Sequence, residues 1–154
     1  MKDVTLPDNY SQVASNVLAQ KYLRKAGIPK KLRKVKEKAV PSWLQRSVPD
    51  LKAMEDLPEN EKFGEEIDGK QTFRRLAGTW TYWGWKYGYF ASEADAKSYF
   101  DEMCYMLAFQ MVSPNSPQWF NTGLNYKYDL TGPQQGFWSV SYTHLTLPTK
   151  EGVL

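Results

Sequence analysis

The sequence is poor in the side chains from which most metal and redox sites are built. Its 154 residues include one cysteine, Cys104, and one histidine, His144. A single cysteine excludes a disulfide framework within the chain. No CxxC or HExxH pattern occurs either, so the usual ligand spacings for zinc are missing. The sequence therefore predicts no metal site and no pair of thiols for redox chemistry.

Long apolar runs are absent as well. No stretch approaches the roughly 18 unbroken apolar residues that a membrane-spanning helix needs. Residues 1–10 are polar and include Pro7, unlike the apolar stretch of a signal peptide. The formal net charge of +3 permits an anionic ligand without requiring one. We expect one cytoplasmic domain with a modest core and no membrane partner.

Aromatic residues, by contrast, are abundant. Phe, Trp and Tyr make up 15% of the chain, and many of them lie in residues 80–90 and 119–128. Such large side chains need apolar surface to pack against. We interpret the run TWTYWGWKYGYF as core in preference to a platform for stacking a ligand. The remaining aromatic surface is expected to pack against a larger partner, such as the rest of a bigger protein.

Three segments have the apolar spacing that is typical of helices. The first covers residues 11–25, the second runs from its N-cap Asp68 to about residue 85, and the third runs from its N-cap Ser92 to residue 111, before Pro114. Residues 29–67, between the first two helices, are charged and contain several prolines. They predict an irregular connector with short helical turns at most.

Residues 114–123 read PNSPQWFNTG and are the best candidate for a binding segment. Two prolines and a glycine predict a shaped loop or extended segment rather than a helix. Asn115, Ser116, Asn121 and Thr122 place several hydrogen-bonding groups on this rigid backbone, which suits a small polar ligand such as a ribose or a phosphate. Residues 124–139 are expected to be strand or loop.

Three other groups of residues have a structural interpretation that we prefer to a chemical one. Cys104 lies on the apolar stripe of the third helix, which favours a buried core residue over a nucleophile. The acidic clusters Glu59–Glu61 and Glu65–Glu66 are expected to be solvated rather than to form an acid–base pair. The basic run at residues 21–38 is expected to be solvated surface. A small nucleic-acid-binding module is the alternative, because Lys and Arg displace counterions from phosphates, and a helical interaction protein is a third.

Residues 140–149 read VSYTHLTLPT, which matches the translation of a common transposase-type sequencing adapter in one reading frame. A genuine strand with alternating Tyr142, His144 and Leu147 is the alternative. Ten consecutive matches favour the adapter. We therefore expect the native part of this chain to be cut off near Ser139 by incomplete sequencing, residues 140–154 to be foreign, and His144 to carry no function.

The order of four longer strings resembles one family. SQVASNVLAQKYLRKAGIP, FRRLAGTWTYWGWKYGYF, YMLAFQMVSPNSPQWFNTGLNYKY and GPQQG follow one another as they do in the N-terminal region of the vitamin B12 (adenosylcobalamin)-dependent class II ribonucleotide reductases. LAGTWTYWGWK and PNSPQWFNTGL are the most specific of these strings. The resemblance extends over about residues 2–135.

The resemblance implies an oxidoreductase that makes deoxyribonucleotides for DNA synthesis. It points to a ribonucleoside-diphosphate reductase, although the residues leave diphosphate and triphosphate substrates open. In the family, homolysis of the cobalt–carbon bond of adenosylcobalamin leads to a cysteine thiyl radical that removes the ribose 3′ hydrogen. A cysteine pair then supplies two electrons. The implied partners are a ribonucleotide, the remainder of the polypeptide and a second copy in a full-length homodimer.

The implied fold is mainly α. Residues 1–113 correspond to the family's helical N-terminal region, and residues 114–139 to its substrate loop and the start of a ten-stranded α/β barrel, the barrel itself being absent. In that loop a Ser or Thr before a proline contacts the nucleotide. Ser116 occupies this position and Asn115 precedes it, so these two residues are the implied substrate contacts. No catalytic, cofactor or metal residue carries over, since Cys104 does not match the redox cysteines. The chain alone is expected to be inactive.

Overall fold

The computed structural model of the chain describes residues 4–131. Its elements are α1 (Gln12–Val17), a π-helical turn (Leu18–Tyr22), β1 (Ile28–Pro29), β2 (Leu32–Lys34), β3 (Ser47–Pro49), a 3₁₀ turn (Lys52–Met54), α2 (Glu59–Lys62), β4 (Phe63–Gly64), α3 (Gly69–Lys86), α4 (Glu93–Ala108), α5 (Ser116–Asn121) and α6 (Leu124–Tyr128). The expected mainly α character is confirmed in this range. The start of the barrel beyond residue 131 and the tail at 140–154 lie outside the described residues, so both stay predictions.

The longest helix, α3, begins as the sequence predicts. The Asp68 side chain accepts a hydrogen bond from the Lys70 backbone at 2.8 Å, and the Gln71 side chain accepts one from the Asp68 backbone at 3.0 Å. This reciprocal capping box satisfies amide groups that the first turn leaves without helical partners. The helix continues through Gly84 to Lys86. A side chain there would place its Cβ 2.7 Å from the Phe90 ring, so this glycine serves close packing.

Helix α4 also begins at its predicted cap but ends earlier than residue 111. The Asp95 backbone donates to the Ser92 hydroxyl at 3.2 Å. At the other end Gln110 has a positive φ of 57°, and the Met111 backbone donates to the Met106 carbonyl at 2.9 Å. This bond from residue i to residue i−5 is typical of a Schellman motif. The left-handed Gln110 therefore ends the helix, well before Pro114.

The first predicted helix is shorter than residues 11–25. Ser11 caps α1 by accepting from the Ala14 backbone at 3.2 Å. Beyond the π-helical turn, Leu23 adopts an extended conformation. The next amide, that of Arg24, donates to the Glu66 carboxylate at 2.9 Å rather than to a helical carbonyl. A tertiary contact thus ends this helix, and no local sequence pattern predicts this end.

The connector at residues 29–67 contains more regular structure than expected. Two antiparallel two-stranded sheets form within or beside it. In one, Ile28 pairs with Gly64 and Pro29 with Phe63; in the other, Arg33 pairs with Val48 at the centre of a three-residue ladder. Strands of two or three residues are too short to show an alternating pattern, so no periodicity in the chain predicts them.

The predictions for residues 114–123 and for residues 124–139 are wrong in part, since each segment contains a helix. In the first segment Pro117 lies in the opening turn of α5, where a proline costs nothing because that turn has no helical partner for its missing N–H. The expected proline-shaped loop is therefore a short helix. Gly123, with φ of 85°, then turns the chain into α6, in the segment predicted as strand or loop.

The core lies where α3 meets α4, α5 and the π-helical turn. Its principal cluster consists of five buried side chains: Leu18, Phe73, Leu76, Leu107 and Trp119. A smaller cluster joins β1 to α6. No helix among residues 4–131 has the length and apolar content needed to cross a bilayer.

The aromatic run is core only in part. Trp80 is half-buried and packs against the principal cluster, whereas Trp83 is 43% exposed, and Tyr87 and Tyr89, just after α3, are 69% and 79% exposed. The fully buried positions of this helix stretch are small residues, such as Thr81. Small residues allow close approach of neighbouring elements, while the large rings extend over the outside of the helix.

Replacing Gly123 by alanine should lower the unfolding midpoint more than replacing Gly88. Both glycines have positive φ, 85° and 72°, which costs an alanine roughly 1–2 kcal/mol. At Gly123 the new Cβ would also lie 2.3 Å from the Arg75 carbonyl oxygen, whereas at Gly88 it meets nothing within 4 Å. Thermal unfolding of the two variants, followed by tryptophan fluorescence, measures the difference. Equal losses would contradict the close approach of α3 to Gly123.

Candidate functional site

The two predicted substrate contacts lie together on the surface at the start of α5. Asn115 is the backbone N-cap of this helix, and its side chain makes no capping bond. Ser116 follows, with its hydroxyl 3.2 Å from the hydroxyl of Tyr22. Both Asn115 and Ser116 are exposed. Their hydrogen-bonding groups are therefore accessible to a ligand.

The other two polar residues of the segment have internal roles. Asn121 is 7% exposed and donates to the Pro117 carbonyl at 2.9 Å, inside α5. The Thr122 carbonyl accepts from the Arg75 guanidinium at 2.7 Å. Of the four candidates, Asn115 and Ser116 thus face outward. The Asn121 side chain and the Thr122 carbonyl instead form hydrogen bonds within the protein. The sequence grouped them because the same residue types serve both purposes.

Beneath this segment lies a buried ion pair that the sequence analysis missed. Arg75 Nε lies 2.9 Å from Glu66 Oε1, and both side chains are 0% exposed. Glu66 also accepts from the Thr72 hydroxyl at 3.0 Å, the Tyr128 hydroxyl at 2.9 Å and the Arg24 backbone at 2.9 Å. The expectation that Glu66 is solvated is therefore wrong. A carboxylate is buried in this way only when opposite charge and donors replace its water.

Arg75 connects this carboxylate to the candidate segment. Besides Thr122, its guanidinium donates to the Trp119 carbonyl at 2.9 Å and to the Tyr22 carbonyl at 3.4 Å. A guanidinium offers five N–H donors in a fixed plane, which suits bridging several acceptors at once. The only signal in the sequence was the pair Arg74 and Arg75 between the apolar Phe73 and Leu76, and it does not show that Arg75 is the buried one of the two.

The electrostatics of this cluster favour a neutral Tyr128. Burial raises the pKa of Tyr128, and the adjacent charge of Glu66 together with its hydrogen bond raises it further. The phenol therefore stays protonated and remains a donor to the carboxylate. The cluster is built to hold structure, since neither group is accessible to a ligand.

Cys104 is half-buried on α4 and does not have the features of a reactive thiol. Burial raises its pKa to about 11, and the negative charge of Asp101 acts in the same direction, while the positive charge of Arg74 opposes it. The thiolate is the nucleophile in cysteine chemistry, so a raised pKa disfavours reaction at neutral pH. This agrees with the interpretation of Cys104 as a packing residue, although it is less buried than we predicted.

The basic run is partly structural. Arg24 donates to the Ala26 carbonyl at 3.1 Å, Lys25 donates to the Ala19 carbonyl, and Lys34 donates to the carbonyls of Trp43 and Gln45. These cations hold their own backbone rather than present a continuous face to phosphates. Nothing in the geometry favours the nucleic-acid-binding alternative. Residues 4–131 also contain no group of three or more His, Cys, Asp or Glu that would hold a metal ion.

A cavity of about 370 Å³ opens beside the segment, between α3, α5 and α6. Its wall includes Trp80 and Trp83 from α3, Gln118 and Asn121 from α5, and Tyr126 from α6. The cavity is polar on the α5 side and aromatic on the α3 side. Its volume is near the lower limit of pockets for small ligands, which is about 300 Å³.

Comparison with known proteins shows which family the chain belongs to. Residues 1–110 match the family model described as class II vitamin B12-dependent ribonucleotide reductase. The chain belongs to this family and corresponds to its N-terminal region.

Individual relatives agree with the family. The chain is 58% identical over 140 residues to the vitamin B12-dependent ribonucleotide reductase of Bradyrhizobium diazoefficiens, and 59% identical over 140 residues to that of Agrobacterium fabrum. Each match covers 91% of this chain and 11% of the relative. A reductase of the same description from Rhodopirellula baltica is 28% identical over 130 residues, which are 84% of this chain and 9% of that protein. The chain thus spans about a tenth of the length of the relatives that it matches.

Replacing Tyr128 by phenylalanine should cost more stability than replacing Tyr126. The Tyr128 hydroxyl donates to a buried carboxylate, and such a bond contributes about 1.5–3 kcal/mol. The Tyr126 hydroxyl donates to the neutral Leu44 carbonyl at 2.9 Å, and a bond of this kind contributes about 0.5–1.5 kcal/mol. Free energies of unfolding from urea titrations give both losses. A smaller loss for Tyr128→Phe would show that the Glu66 charge is not held as described.

Alkylation of Cys104 by iodoacetamide should be slow at pH 8 and should accelerate as the pH rises toward 11. Since its pKa of about 11 is two units above the ordinary value of 9.0, the thiolate fraction at pH 8 is lower by about 100-fold. The matched control is the same chain in urea, where the thiol regains its ordinary pKa. Equal rates in the folded and unfolded chain would contradict the effect of burial.

Proposed function

We propose that this chain is the part of a class II ribonucleotide reductase that holds the ribonucleotide, through Ser116 and Asn115. The full-length enzyme would reduce ribonucleotides to deoxyribonucleotides for DNA synthesis. The observation that carries the proposal is the combination of an exposed Ser116 hydroxyl with a backbone that is fixed from within.

Rigidity supports this role. Trp119, three residues after Ser116, is 5% exposed and stacks on Tyr22 with ring centroids 5.3 Å apart and an interplanar angle of 14°. The carbonyl of Trp119 is held by Arg75, as described above. A binding group on a pre-positioned backbone loses little conformational entropy when the ligand binds. Ser116 and Asn115 meet this condition, because the segment that carries them is anchored on its buried side.

The described residues do not fit adenosylcobalamin itself. Residues 4–131 contain no histidine and no cluster of metal-ligating side chains. The cavity of about 370 Å³ is small even for drug-sized ligands, which occupy roughly 300–1,000 Å³, and a corrinoid is larger than these. We therefore assign the cofactor, the thiyl cysteine and the reducing cysteine pair to other parts of the full-length enzyme.

The remaining assignments rest on the family alone. The principal partner of this chain is the remainder of its own polypeptide, and the full-length enzyme forms a homodimer. It acts in the cytoplasm, on ribonucleotides that are made there. The exposed rings of Trp83, Tyr87 and Tyr89 are surface that the rest of the polypeptide would cover.

In the full-length reductase, Ser116→Ala should raise the KM for the ribonucleotide about tenfold and change kcat little. One lost hydrogen bond to a bound ligand is worth about 0.5–1.5 kcal/mol, and 1.4 kcal/mol is a factor of ten. An interaction made equally in the ground state and the transition state affects KM rather than kcat. Steady-state kinetics with varied ribonucleotide measure both constants.

Ser98→Ala is the matched control for this experiment. Ser98 is exposed on α4, outside the candidate segment, and no proline follows it. The control should leave the KM unchanged. If Ser116→Ala behaves like Ser98→Ala, Ser116 does not contact the substrate.

The isolated chain should show no reductase turnover and should unfold at low temperature. It has one cysteine, whereas the family's reaction uses a thiyl cysteine and a cysteine pair. Its exposed aromatic surface should also bind the dye ANS. Calorimetry, dye fluorescence and an activity assay test these expectations. A cooperative transition at high temperature, or turnover by the chain alone, would contradict them.

A further inference from the structure

Arg75 makes contacts that reach beyond its ion pair with Glu66. Its guanidinium holds two carbonyls of the candidate segment, that of Trp119 near the end of α5 and that of Thr122 just after it. Ser116 opens the same helix. A helix of six residues is a rigid unit, so fixing its C-terminal end also fixes where its first residue lies.

A second connection reaches Ser116 from the other side. Arg75 donates to the Tyr22 carbonyl at 3.4 Å, and the Tyr22 hydroxyl lies 3.2 Å from the Ser116 hydroxyl. The Tyr22 ring also packs against Trp119. One guanidinium therefore contacts the backbone of both segments that carry these two hydroxyls.

The ion pair keeps the guanidinium itself in one position. Two of its nitrogens bond to the two oxygens of Glu66, Nε at 2.9 Å and Nη2 at 3.3 Å. Held in this plane, Nη2 also donates to the Trp119 and Tyr22 carbonyls, and Nη1 donates to the Thr122 carbonyl. A lysine in the same place would keep the positive charge but has a single terminal nitrogen, which cannot span these acceptors in the same plane.

We propose that Arg75 is a positioning residue for substrate binding, acting on Ser116 both through α5 and through Tyr22. The proposal rests on the proposed function, because it requires that Ser116 contacts the ribonucleotide. Arg75 itself does not touch the substrate, since its side chain is fully buried. Its effect is on the geometry of the binding group and should appear mainly in the KM.

The test uses Arg75→Lys in the full-length reductase, alone and combined with Ser116→Ala. Arg75→Lys should raise the KM for the ribonucleotide about as much as Ser116→Ala does, by about tenfold. The double variant should show no larger rise than the single variants, because Arg75 acts through Ser116. Additive rises in KM would overturn the proposal.

Met54→Ala controls for loss of stability alone. Met54 is 0% exposed and lies in the 3₁₀ turn of the connector, away from α5. It should lower the melting temperature and leave the KM unchanged. If Arg75→Lys lowers the melting temperature and leaves the KM as Met54→Ala does, Arg75 has only a structural role and the proposal fails.

Tyr22→Phe keeps the test decisive if Arg75→Lys does not fold. This variant preserves the buried ion pair and the stacked ring but removes the hydroxyl beside Ser116. It should raise the KM severalfold, with no further rise when combined with Ser116→Ala. An unchanged KM would overturn the proposed path through Tyr22.

The proposed function and the positioning role of Arg75 fail on different results. If Ser116→Ala has no effect on the KM, the proposed function is wrong. If Ser116→Ala raises the KM while the Arg75 and Tyr22 variants have a normal KM, only the positioning role is wrong.

Discussion

The buried ion pair between Glu66 and Arg75 is the interaction on which the other parts of this chain converge. It joins the end of the connector to α3, the chain after the π-helical turn, α5 and α6. Removing one partner of such a pair leaves an uncompensated charge in the interior, which typically costs 3–5 kcal/mol. These segments therefore keep their relative positions only while both partners of the ion pair are present.

Local rules account well for the two long helices. Asp68 and Ser92 act as caps where the sequence placed them, because capping depends on residues within one turn. The ends of helices were less predictable. Residue 110 ends α4 through a left-handed glutamine, a residue type that rarely marks such a position.

The candidate segment shows the limits of sequence reasoning more clearly. Ser116 and Asn115 of PNSPQWFNTG lie on the surface, and their contact with substrate stays a prediction. The predicted conformation was wrong. Prolines usually indicate a loop, but they also occur in the first turn of a helix. The ion pair beneath this segment was missed, because Glu66 and Arg75 are nine residues apart and no local sequence pattern shows that they are in contact. Tertiary pairing of charges is visible only when the helices are placed.

The aromatic run has a related explanation. Helical spacing alone cannot tell which side of α3 faces the core. Toward the end of α3 the buried positions are small residues such as Thr81, while Trp83 lies 43% exposed. The relatives offer an explanation for such surface, since they are about eight times as long as this chain and so contain far more protein for the rings to pack against.

The pairing of β1 with β4 has a consequence for how this region can vary. Ile28 and Pro29 lie beside Gly64 and Phe63, so the ends of the intervening stretch meet at one point. The stretch also packs on the helices in between, since the Leu44 carbonyl accepts from Tyr126 of α6 at 2.9 Å and the Trp43 indole donates to Glu93 of α4 at 2.9 Å. The cost of closing such a loop grows only slowly with its length. Insertions or deletions can therefore accumulate during evolution at the exposed positions between residues 30 and 62 that make no such contact, while the helices keep their arrangement.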